Sequence, residues 1–173
     1  MSQVGNEELK QLSKASIQEA FLLLLEKKTW HEISIQDIIH KSGVSRMTYY
    51  RHFDSKEDIL IQLFDAFLQT IADHTPQSFT RANKRIFLTK LFTVIKEYRK
   101  FIRTLIMNDQ YIGMIHRTNH FYLKQITASR QQPFKLIGFI GFISNVCFHW
   151  VRQDCQDSLE ELVETCLQTI HYP

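Results

Sequence analysis

Three serine helix caps follow one another within residues 34–60, SIQDIIHKSGVSRMTYYRHFDSKEDIL. That spacing restricts the segment to short helices joined by tight turns. Ser34 precedes an apolar stripe of Ile35, Ile38 and Ile39, with Asp37 placed as its capping-box partner. Ser42-Gly43-Val44 then breaks the pattern, and Gly43 supplies a positive φ at no steric cost. Ser45 starts a second short helix through Phe53. Ser55, followed by Lys56-Glu57-Asp58, starts a longer one that carries Ile59, Leu60, Leu63, Phe64, Phe67 and Ile71. Two short helices meeting across a glycine turn form a helix-turn-helix unit.

Such a unit needs an apolar stripe on its first helix, a buried residue after the glycine and two anchors on its second helix. Ile35, Ile38 and Ile39, then Val44, then Tyr49 and Phe53 fill these roles, the last two being four apart and so on one face. Burial of that face leaves Arg46, Met47, Thr48, Tyr50 and Arg51 outside. A recognition helix reads base edges mainly from its N-terminal residues. Arg46 has the bidentate geometry for guanine O6 and N7, and Met47 suits a thymine methyl group. Thr48, Tyr50, His52 and Lys56 suit phosphate oxygens, which set position rather than sequence. The helix N-termini near Ser34 and Ser55 add backbone donors for anions.

The run Ser45-Arg46-Met47-Thr48-Tyr49-Tyr50-Arg51-His52-Phe53-Asp54-Ser55-Lys56-Glu57 resembles the DNA-binding signature of TetR-type transcription regulators, over roughly residues 10–60. Two positions depart from it: Ser42 stands where the family usually has Ala, and Met47 where a small residue is common. The resemblance implies phosphate contacts from Ser34, Tyr50, His52 and Lys56, with Ser45 beside them. It puts Gln36, Arg46, Met47 and Thr48 near bases. The last forty residues are more weakly similar to the family's C-terminal domains, through Gly138, Gly141, Trp150 and the linker Asp154-Cys155-Gln156-Asp157-Ser158. In the family the last two helices form a homodimeric four-helix bundle. Independently, Gly138, Gly141, Ser144 and Asn145 make a small-residue strip that admits another helix, from this chain or from a second copy.

The remaining chain agrees with an all-α fold. Only 5 Gly and 3 Pro occur in 173 residues, which argues against an all-β fold rich in tight turns. Helical periodicity covers 7–28, 83–107 with a break near Tyr98, 110–127 and 134–153, with a turn at Gln131-Gln132-Pro133. Ser158 and Glu161 cap a final helix to about Ile170. The expectation is about nine helices. A three-helix DNA-binding domain at 1–55 precedes a helical effector-binding and dimerisation domain at 56–173.

Net charge is +3, too small to diagnose nucleic-acid binding by itself. A basic stretch within 81–103 and an acidic one within 154–164 each read as solvated faces. The 13 Phe supply a core by default. Tyr98, Met107, Tyr111, Met114, Phe121 and Phe139 are candidates to line an effector cavity, and each is equally an ordinary core residue. Cys147, Cys155 and Cys166 are odd in number and lack metal spacing, so they read as reduced thiols. His116 and His120 have a metal-binding spacing but no acidic third ligand nearby, so no metal is expected. No Ser-His-Asp set, phosphate loop or Cys-x-x-Cys is evident, so neither a cofactor nor an enzyme is expected. Residues 134–151 have the length of a bilayer span. Lys135, Asn145 and His149 interrupt them, so they read as a buried helix. A polar N-terminus without a signal-peptide pattern completes the expectation of a cytoplasmic, non-membrane protein. Its partners would be operator DNA, a second copy of itself, and a small-molecule or protein effector that acts through the fourth helix.

Overall fold

A computed structural model describes residues 2–76, 79–124 and 132–170. The described residues form helices α1 (Ser2–Leu25), α2 (Ile35–Ser42), α3 (Arg46–His52), α4 (Lys56–His74), α5 (Lys84–Glu97), α6 (Arg99–Met107), α7 (Tyr111–Leu123), α8 (Gln132–Arg152) and α9 (Leu159–Thr169). A 3-10 turn, Trp30–Glu32, lies between α1 and α2, and the described residues contain no strand. The chain divides into two compact units, Met1–Phe64 and Asp65–Pro173.

The first unit packs around Ile17, Phe21 and Leu25 of α1, Trp30 and Ile33 of the connecting loop, Ile38 of α2, Tyr49 and Phe53, and Ile59 of α4. Phe21 meets Trp30 edge-on at 5.9 Å. Each short helix is started by its own side chains. The Ser34 hydroxyl accepts from Asp37 N at 3.1 Å, and Ser34 N donates to the Asp37 carboxylate at 2.9 Å. Those bonds and Lys28, 3.0 Å from the same group, hold the Asp37 carboxyl well below its usual range. Ser45 and Ser55 cap α3 and α4 by accepting from Thr48 N and Asp58 N. Gly43 ends α2 at φ +71° and donates its N–H to Ile39 O.

In the second unit, α5, α6, α8 and α9 share a core that includes Leu88, Phe92, Leu105, Ile143, Cys147, Trp150, Val163 and Cys166. Trp150 is edge-on to Phe92 at 5.8 Å, and its indole N–H donates to Asp157 O. Tyr98 lies between α5 and α6, where the break was expected. The basic and acidic stretches pair through Arg85–Glu164 at 2.6 Å and Arg103–Asp154 at 3.5 Å. All four side chains remain about half exposed, so each pair adds little stability.

Two expectations need correction. Gln132 and Pro133 open α8 rather than forming a turn, and proline is tolerated in a first helical turn because that N–H lacks an intrahelical acceptor; Gln131 lies outside the described residues. Nor is α8 a buried helix within this chain. Pro133–Arg152 is long and apolar enough by composition to cross a bilayer, yet only 28% of it is buried. Ile140, Ile143, Cys147, Trp150 and Val151 face the core, while Phe134 is 79% exposed. The apolar side chains are spread around the helix, and this chain covers one side of it.

At Gly43 an added Cβ meets nothing within 4 Å. The cost of Gly43→Ala is therefore backbone strain alone, about 1–2 kcal/mol for an L-residue in the left-handed region. Gly43→Asn should cost less. Urea unfolding checks this, and an alanine variant as stable as the wild type would contradict it.

Candidate nucleic-acid interface

Tyr49 is 0% exposed and Phe53 1%, with ring centroids 6.2 Å apart. Those two anchors fix the rotation of α3. Arg46, Met47, Tyr50 and Arg51 stand on its outer side, Met47 being 77% exposed. The Arg46 guanidinium lies 5.7 Å from the Tyr50 ring centroid, within cation–π range. Gln36 is exposed on α2. Thr48 is half-buried, and its hydroxyl is 2.8 Å from the hydroxyl of Ser45, so these two groups serve the helix start together.

Of the side chains with phosphate chemistry, several already have partners. The Ser34 hydroxyl donates to the Asp37 carboxylate at 2.7 Å while accepting from Asp37 N. Lys56 Nζ donates to Trp30 O at 2.6 Å and Ile33 O at 2.8 Å, and lies 5.0 Å from the Trp30 ring centroid. His52 Nε2 is 2.8 Å from Ser13 Oγ of α1. Burial, then the charges of Arg51, Lys14 and Lys10, push the His52 pKa down. The α1 contribution from Lys10, Ser13 and Lys14 was missed in the sequence. The available signal was their shared helical face, with Lys10 and Lys14 four apart.

The effector candidates have different ring partners. Tyr98 meets Phe67 at 5.1 Å, Tyr111 meets Phe148 at 6.1 Å, and Phe139 joins Phe79 and Phe87 at 4.7 and 6.2 Å. Phe121 packs edge-on to Tyr122, Met114 is buried, and Met107 is 71% exposed. On α8, Gly138 and Asn145 are exposed, and Gly141 and Ser144 are half-buried. A Cβ at either glycine meets nothing within 4 Å, so among the described residues no helix packs closely there. His116 and His120 are exposed, and no group of three His, Cys, Asp or Glu among the described residues is placed to hold a metal ion.

Residues 19–63 match the family model for bacterial regulatory proteins of the tetR family. The dhaKLM operon transcriptional activator DhaS of Lactococcus lactis is 23% identical over 101 residues, 52% of this chain and 54% of that protein. The regulator EthR of Mycolicibacterium smegmatis is 44% identical over 46 residues, 27% of this chain and 21% of that protein. These matches span about half or less of the curated relatives' length. A crystal structure of a TetR transcriptional regulator from Streptococcus agalactiae superposes over 98% of this chain and 99% of its own, with TM-score 0.69 and 20% identity, which establishes the shared fold.

His52 also sets a pH response. Its pKa is depressed in the fold, so the unfolded chain takes up the proton first as pH falls. Its contribution to stability is present above about 6.5, the ordinary histidine value, and is lost as pH drops below that. His52→Gln retains a hydrogen-bonding group toward Ser13 and should flatten the loss of stability between neutral and mildly acidic pH. Parallel curves of urea midpoint against pH for variant and wild type would exclude His52 as a source.

Proposed function

We propose, from the match of residues 19–63 to the family model for bacterial regulatory proteins of the tetR family, that this chain is a transcription regulator that binds operator DNA as a homodimer. The observation that carries the reading is the division of α3: Tyr49 and Phe53 are buried, and Arg46 and Met47 are presented outward at its N-terminal end. In this reading Arg46, Met47, Thr48 and Gln36 lie nearest the bases. Ser34, Ser45, Tyr50 and Lys56 lie along the phosphates, with His52 beside them at the α1–α3 contact. The uncovered side of α8 supports self-association, with Phe134, Gly138 and Gly141 meeting a second copy. A two-fold dimer sets its recognition helices in successive major grooves, about 34–36 Å apart or a multiple of that. The operator is then palindromic.

The second unit takes an effector, the protein works in the cytoplasm, and regulation is repression relieved or modulated by that effector. An effector acts only through different affinities for the DNA-bound and free conformations. A second reading, activation of a promoter, is favoured by one observation: the relative DhaS is named a transcriptional activator. Deleting the gene and measuring the target promoter separates them, since output rises for a repressor and falls for an activator.

Selection of bound duplexes from a random library tests the main reading. The expected product is a two-fold symmetric motif, and absence of any enriched sequence refutes it. With that operator, Arg46→Ala weakens specific binding by about 1–3 kcal/mol and relaxes preference at one position per half-site. Unchanged affinity removes Arg46 from the base-reading set.

Gly138→Trp tests the dimer surface. An added Cβ there meets nothing among the described residues, so the variant should fold and sediment as a monomer with weakened operator binding. A folded variant that remains dimeric excludes this face.

A further inference from the structure

Residues 5–12 of α1 contribute nothing to the core. They are all exposed, and the first buried side chain is Ile17. The residues that follow on the same helix are fastened to α3. Ser13 Oγ lies 2.8 Å from His52 Nε2, and Lys14 Nζ lies 6.0 Å from the Phe53 ring centroid. Lys10 shares the face, three residues before Ser13 and four before Lys14. Lys10 and Lys14 join Arg51 in acting on the His52 charge, which makes the four groups one electrostatic patch. Glu7 is paired with Lys10 at 3.8 Å, with both side chains more than half exposed. Such a pair is weak and yields to a stronger anion.

We propose that this face of α1 binds the phosphodiester backbone of duplex DNA, with Lys10 and Lys14 as the contacting cations. The proposal rests on the reading of α3 as a recognition helix and extends its phosphate surface onto α1. Charge complementarity and physical continuity with α3 through Ser13–His52 support it. Hydrogen-bond accounting supports it as well. The Ser13 hydroxyl has one proton and donates it to Lys10 O at 2.9 Å. His52 Nε2–H is then the donor to Ser13 Oγ, and Nδ1 of the neutral ring carries a lone pair. A neutral ring in that tautomer cannot donate to a phosphate. The lysines supply the positive charge at this corner, and His52 acts as a positioning residue that holds α1 against α3.

The test needs no operator, because phosphate contacts are sequence-independent. Binding of the full chain to a random-sequence duplex is followed by fluorescence anisotropy as salt is raised. Replacing Lys10→Gln and Lys14→Gln together should reduce the slope of log affinity against log salt by about 0.9 per lost phosphate contact, close to two per chain. The Arg pair, Lys10→Arg with Lys14→Arg, should keep the wild-type slope. Lys96→Gln with Lys100→Gln, exposed in the second unit, should leave it unchanged. An unchanged slope in the Lys10/Lys14 glutamine variant overturns the proposal, as does an equal drop in the Lys96/Lys100 control. If the double variant unfolds, Lys10→Gln alone carries the test with a drop of about 0.9. A wild-type protein with no duplex affinity at low salt refutes the recognition-helix reading itself, a failure visible before any variant is made.

Discussion

Burial of two aromatic rings, Tyr49 and Phe53, is the constraint on which the outward chemistry depends. α3 has seven residues, too few to be a stable helix alone, so tertiary packing must hold it. The rings lie in a core with Ile17 and Phe21 of α1, Ile38 of α2 and Ile59 of α4. Turning the helix by one position would bring a charged or polar neighbour inward and expose a ring. The Tyr49 hydroxyl is buried with no hydrogen-bond partner, which costs desolvation energy. Burial pushes its pKa up to about 12, so the group stays neutral. The apolar contact of the ring outweighs that polar cost, and the exposed faces of Arg46 and Met47 follow from it.

Local features of this unit were legible in the sequence because they close over three or four residues. Ser34 with Asp37, Ser45 with Thr48, Ser55 with Asp58 and the Gly43 turn all act within one helical turn, and all appear as expected. Groups that act across the fold were not legible. Lys56 reaches carbonyls 26 and 23 residues earlier, and His52 meets a serine 39 residues away. An ammonium can donate to a phosphate or to carbonyl oxygens, and only the three-dimensional path brings the carbonyls of Trp30 and Ile33 to it. The same holds for α1, whose apolar periodicity suggested a start near residue 7. Its backbone is helical from Ser2, and residues 5–12 are all exposed.

α8 illustrates a different limit. Hydropathy summed along a segment has magnitude but no direction, and residues 134–151 therefore read as buried. The helix places Ile140, Ile143, Cys147, Trp150 and Val151 against its own chain and leaves Phe134, Ile137 and Gly138 open. The small-residue strip was readable, but which helix fills it was not. Among the described residues, the space beside Gly138 and Gly141 holds no packed helix. The cysteines behave as small apolar core groups. Burial raises the thiol pKa of Cys147, and of Cys166 to about 11, so few thiolates form and reactivity is suppressed.

The partnered state of the side chains proposed to face phosphates bears directly on how binding would work. A free lysine loses substantial rotamer entropy when it grips an anion. Lys56 is already held by two carbonyls and by the face of Trp30, so much of that ordering cost is met in folding. Two of its three N–H donors are used, which leaves one for a phosphate without breaking either bond. The same bonds fasten the loop before α2 to the start of α4. A phosphate at Lys56 therefore meets a group whose position is set by Trp30 and Ile33, while one at Lys10 meets an exposed and more mobile side chain. In the proposed complex the two kinds of contact would divide the work: the held lysine would define register on the duplex, and the exposed ones would add salt-sensitive affinity.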